Sequence, residues 1–99
     1  MRDVHFHPAA VGELEYARSW YEAQSPGLGR QFLEQIEQAI GAVRESPTTW
    51  PLYSSETRRF LVHRFPFAIV YRYDKEVVRV IAVMHLKRKP GYWKHREIQ

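Results

Sequence analysis

The chain has no cysteine, so neither a disulfide framework nor a thiolate metal site is available to it. Its opening stretch, MRDVHFHPAA, has no apolar h-region, and a secretory signal is not expected. The longest clearly apolar run, VIAVM at 80–84, falls far short of a membrane span. No Gly-rich loop carries the Lys-Ser/Thr of a phosphate-binding P-loop, and no Gly-x-Ser-x-Gly elbow or Ser/His/Asp arrangement appears. These absences argue against nucleotide hydrolysis, serine hydrolase chemistry and membrane residence, and the expected location is cytoplasmic.

With 99 residues, 44% hydrophobic and 26% charged, the chain has room for one core, and a single domain over 1–99 is expected. Charge is divided unevenly between its halves. Residues 1–50 carry four arginines against seven acids, a net −3, while residues 51–99 carry eleven basic residues against four acids, a net +7. Such a split points to an anionic partner for one end of the molecule, either nucleic acid or an acidic protein segment.

VHFH at 4–7 alternates as a short strand, and Pro8 suits the first turn of a helix. Ala10, Leu14, Ala17 and Tyr21 recur at helical spacing, with Glu13, Glu15, Arg18 and Glu22 read as a solvated face. SPGLG at 25–29 breaks this helix, with Ser25-Pro26 as a cap for the next. Leu28, Phe32, Ile36, Ala39, Ile40 and Val43 form the stripe of a second helix, stopped by Ser46-Pro47. TTWPLYSSET at 48–57 reads as a loop. RRFLVHRF (58–65), FAIVYRY (67–73) and VVRVIAVMHL (77–86) read as three strands of a meander. The predicted fold class is α+β, a β-α-α-β-β-β order with an N-terminal strand, an antiparallel helical hairpin on one face of a mostly antiparallel sheet, and a short basic C-terminal tail. The stretch 80–84 is apolar on both strand faces, so either the tail folds over the second face or a partner covers it.

His5 and His7 share a strand face, but no third ligand is marked by spacing, and no metal or cofactor is expected. What remains is a basic set interleaved with aromatic rings. Arg58, Arg59, Arg64, Arg79, Lys89, Trp93, Lys94 and Arg96 are the candidates for contact with a target or nucleic acid. Metal-free RNA cleavage needs a base, cations at the phosphate and an acid, and His85, Lys87, Arg88 and Tyr92 are the candidates for those roles.

FHPAAVGELEYARSWYE, SPGLGRQFLEQIEQAI, SPTTWP, RRFLVHRFPFAIVY and VIAVMHLKRKPGYW together resemble the RelE/ParE superfamily of toxins from bacterial type II toxin–antitoxin modules. The most specific part is RFPFAIVY followed by a strand ending in His-x-x-Arg, His85 and Arg88. The resemblance implies a growth-inhibiting protein of the plasmid-stabilization kind, held by a cognate antitoxin with a largely acidic disordered segment. It implies one of two targets: DNA gyrase, poisoned by ParE-like members, or the ribosome with its mRNA, cut by RelE-like members. The RelE-like branch has an Arg two residues before the Val-Tyr that corresponds to Val70-Tyr71, where this chain has Ala68. The His-x-x-Arg strand end and SPGLGRQF favour the ParE-like branch, and only the RelE-like branch would make His85, Arg88, Tyr92 and Lys87 catalytic. An alternative of another class is a non-toxic nucleic-acid-binding domain with the same basic surface.

Overall fold

The computed structural model describes residues 2–98, with side chains described for residues 2–96. In chain order, β1 (Asp3–Phe6) leads into α1 (Pro8–Gln24) and α2 (Leu28–Glu45). β2 (Leu52–Ser54), β3 (Thr57–Leu61), β4 (Phe67–Asp74) and β5 (Val77–His85) follow, then a 3-10 helix (Lys94–Ile98). The strands form one sheet in the order β1-β5-β4-β3-β2, so the helical hairpin carries the chain from the β1 edge to the opposite one.

The sheet is mostly antiparallel, as expected: β1 runs parallel to β5 and every other pair is antiparallel. Two local readings need correction. The 48–57 loop holds a short edge strand, β2, whose single turn back to β3 leaves little alternation to detect. The strand expected over 58–65 ends at Leu61, and the chain turns through residues 62–66, closed by a hydrogen bond from Val62 N–H to Phe67 O of 2.9 Å.

Ser25 does not cap α2. The N-cap is Gly27 at φ +90°, a left-handed conformation that glycine adopts freely. Its capping oxygens come from the preceding helix: Glu22 accepts from Gly27 N–H at 3.0 Å and from Gly29 N–H at 3.0 Å. Those bonds hold the Glu22 carboxyl below its ordinary range. Gly29 is also where the helices touch, since a Cβ there would meet the Arg18 carbonyl oxygen at 2.8 Å.

The helices cover one sheet face. Phe32, Ile36, Ala39 and Val43 of α2 and Ala10 and Ala17 of α1 pack against Ile69, Tyr71, Val78, Val80 and Val83. The buried Tyr71 hydroxyl donates to Pro47 O at 2.7 Å, tying the end of the hairpin to the central strand. The fully buried residues of α1 are all small, and Val11, Tyr16 and Trp20 stand exposed on it.

The second face is covered by the chain itself. A bulge lets Val70 face Ala82 and Tyr71 face Val80, so Ile81 is the extra residue, and side-chain parity changes there. Ile81, Ala82, Met84, Ala68 and Val70 consequently form a second apolar cluster, on which Trp93 lies at 0% exposure. This accounts for the doubly apolar run at 80–84. Of the two covers expected for it, the C-terminal tail is the one observed.

Candidate interaction site

β1 pairs with β5 only as far as Val80, so the rest of that edge lacks a strand neighbour. Side chains complete it. Glu13 of α1 accepts from Val83 N–H at 3.0 Å, and Arg96 Nη1 donates to Ile81 O at 3.2 Å. The two residues also form a bidentate ion pair, at 3.0 Å and 3.1 Å, with side-chain exposures of 10% for Arg96 and 17% for Glu13. A carboxylate and a guanidinium thus supply the acceptor and donor that a sixth strand would present.

The same Glu13 takes a hydrogen bond of 2.6 Å from the Tyr92 hydroxyl. Burial, followed by that bond and the carboxylate charge, raises the Tyr92 phenol well above its ordinary range. Arg88 lies over the Tyr92 ring, with Cζ 3.9 Å from the centroid, and Arg96 lies 5.2 Å from it. Beside this stack opens a cavity of about 570 Å³, lined by Tyr16, Trp20, Tyr21, Phe67, His85, Arg88 and Tyr92 among others. That volume is in the range of small-molecule and peptide pockets, roughly 300–1,000 Å³.

His85, Arg88 and Tyr92 therefore line one cavity. Lys87 does not line it. Its side chain is exposed, and its backbone N–H donates to His85 Nδ1 at 3.0 Å. While Nδ1 accepts that bond, a neutral ring would carry its proton on Nε2.

Three of the contact candidates, Trp93, Arg96 and Arg58, are engaged within the fold. Trp93 is wholly buried, in one apolar cluster with Ala68, Val70, Ile81, Ala82 and Met84. Arg96 is spent on Glu13 and Ile81. Arg58 also faces inward, donating to Trp50 O at 2.7 Å and Thr48 O at 3.3 Å. Arg59 lies 4.4 Å from the centroid of Tyr53, whose ring packs on Trp93. Arg64, Arg79, Lys89 and Lys94 are exposed: Arg64 in the β3–β4 turn, Arg79 near the start of β5, and Lys89 and Lys94 in the tail.

Glu13, Tyr16 and Trp20 are not among the sequence candidates, yet all three belong to this site. The solvated face expected for Glu13 is wrong: it sits three residues after Ala10 and four before Ala17, within the apolar stripe, and that spacing is the available signal. His7 likewise departs from a plain strand histidine, since its Nδ1 accepts from Ala9 N–H at 3.0 Å and caps α1. Among the described residues, no group of three or more His, Cys, Asp or Glu is placed to hold a metal ion, and no helix is long and apolar enough to cross a membrane.

The fold is shared with solved toxins. The isolated E. coli RelE toxin matches at a TM-score of 0.65 with 21% identity, over 99% of this chain and 98% of that one. A chain of the intact E. coli RelBE toxin–antitoxin complex gives 0.67 and 22%, over 89% and 100%. A chain of the chromosomal ParDE toxin–antitoxin system of P. aeruginosa gives 0.64 and 13%, over 88% and 98%. No match was found among curated proteins. The family of ParE toxins of type II toxin–antitoxin systems, parDE, matches residues 4–90, nearly the whole chain. The chain is a member of that family, a type II toxin of the RelE/ParE superfamily.

Proposed function

We propose that this toxin stops growth by gripping its target, DNA gyrase, and not by cutting RNA, and that a cognate antitoxin with an acidic segment holds it inactive. The observation that carries this reading is the engagement of the would-be catalytic groups. The Tyr92 proton is held by Glu13 at 2.6 Å, and with its phenol raised by burial Tyr92 is a poor proton donor to a leaving oxygen. His85 Nδ1 is occupied by the Lys87 N–H, which leaves a neutral ring with its proton on Nε2 and no free nitrogen to serve as a base. Ala68 lies at 0% exposure in the cluster beneath Trp93, so the arginine of the RelE-like branch has no room there unless Trp93 leaves.

The RelE-like reading keeps one observation in its favour, the meeting of His85, Arg88 and Tyr92 at one cavity. Induction in a bacterial host without antitoxin separates the two. The gyrase reading expects growth arrest with double-strand DNA breaks and intact bulk mRNA. Arrest with ribosome-dependent mRNA cuts and intact DNA overturns it. Unimpaired growth at high expression would point instead to a non-toxic nucleic-acid-binding domain.

A further inference from the structure

The β3–β4 turn and the segment after β5 share one end of the sheet. Phe67 pairs with His85 across β4 and β5, and Leu86 N–H donates to Pro66 O at 2.9 Å. Arg64, Lys87, Arg88 and Lys89 all stand exposed along this end. From Thr57 to Arg96 the acids are Asp74 and Glu76, and both sit at the β4–β5 turn, the opposite end of β4. The helix ends that pack here, through Tyr21 and Phe32 against Phe65 and Phe67, bring acids that are already engaged: Glu22 with the amides of Gly27 and Gly29, Glu34 with Arg30.

Arg64 adds a second, independent observation. Its φ is +73°, a conformation that strains a side chain and suits glycine. Among the described residues, the other two non-glycine positions at positive φ, Lys75 and Glu76, form a two-residue hairpin turn in which positive φ is usual. The Arg64 guanidinium donates to Gln31 Oε1 at 3.0 Å and lies 5.5 Å from the Phe65 ring centroid, contacts that leave its charge intact. An arginine where the backbone favours glycine is a stability cost set against something its side chain does.

We propose that this end of the sheet contacts the sugar–phosphate backbone of duplex DNA, with Arg64 as its anchor. The identity of that DNA, the segment held by gyrase, rests on the function proposed above; the contact itself does not. Solvated cations with no acid between them match a partner of regular negative charge, and such binding is set by counterion release.

The test is binding of the purified toxin to a short fluorescent duplex, followed by anisotropy, with the variants Arg64→Gly and Lys89→Glu. Each phosphate contact makes affinity fall by about 3.5-fold between about 50 and about 200 mM salt. Arg64→Gly is expected to melt at a higher temperature than the parent, to bind more weakly, and to lose about one contact from the salt slope. Lys89→Glu, on an exposed turn, is expected to flatten the slope by at least as much. Absence of salt-dependent DNA binding by the parent, or unchanged slopes in both variants, overturns the proposal. So does binding to polyglutamate, lost in the variants, with no binding to the duplex. If gyrase is trapped while both variants bind DNA as the parent does, the contact fails and the gyrase reading stands. If the variants lose DNA binding while gyrase is untouched, the contact stands and that reading fails.

Discussion

The Tyr92 hydroxyl donates to Glu13 Oε2 over 2.6 Å, joining the first helix to a tail 79 residues further on. Glu13 also accepts from Val83 N–H and from Nη1 and Nη2 of Arg96, so one carboxylate ties α1, the open edge of β5 and the C-terminal segment together. Trp93, between Tyr92 and Arg96, is held over the second sheet face by these same bonds. Cover for that face and placement of Arg88 therefore depend on one side chain.

Removing it is expected to be costly. Glu13→Ala leaves Arg96 buried without its counter-charge, and should destabilise the fold by about 3–5 kcal/mol. The joint replacement Glu13→Leu with Arg96→Met should recover much of that loss, because it also removes the desolvated charges. Urea denaturation of the two variants and their parent measures the difference.

Trp93→Ala is expected to cost about 3–5 kcal/mol and to expose an apolar cluster that binds a hydrophobic dye. Trp20, half exposed on α1, provides the contrast. Trp20→Ala should change stability by less than about 1 kcal/mol.

Most of the fold is legible in the sequence, and the reasons can be traced to particular residues. α2 is clear because Phe32, Ile36, Ala39 and Val43 are apolar at helical spacing, and all four are buried. The strand pairs follow from β-branched runs and the Asp74-Lys75-Glu76 turn. β1's parallel pairing is not legible, since orientation against a distant strand leaves no trace in a four-residue run. The site is half legible. His85, Arg88 and Tyr92 are close in sequence and meet in space, whereas Glu13 lies 79 residues from Tyr92 and declares itself only by sitting in an apolar stripe. Trp93 and Arg96 read as contact residues because aromatic and basic composition is the same whether a ring stacks on a base or on Ala68 and Ala82.

Alkaline pH should weaken the fold through its buried phenols. Tyr71 is pushed up to about 12 by burial, and Tyr92 is raised as well, from an ordinary value of 10. Both folded values exceed the unfolded one, so the native state holds these protons more tightly. Their contribution is complete below pH 10 and declines as pH rises through 10 toward 12 for Tyr71, and further for Tyr92. Urea titrations across that range should show falling stability, and a shallower fall in Tyr92→Phe.

Two glycines in α2 should respond in opposite ways to alanine. Gly29→Ala drives a Cβ against the Arg18 carbonyl and is expected to cost about 1–3 kcal/mol. At Gly41 the place a Cβ would take has nothing within 4 Å, and Gly41→Ala should stabilise by about 0.5–1 kcal/mol. Thermal melts of the two variants give the signs directly.

The proposed mode of action is that this toxin grips and does not cut. One preparation of purified protein, divided between two reactions, tests it most directly: gyrase with supercoiled plasmid, and translating ribosomes with a defined mRNA. Linear plasmid trapped with gyrase and an uncut message are the expected products. Uncut plasmid together with mRNA cleaved in the ribosomal A site, and abolished in Arg88→Ala, would contradict that mode of action.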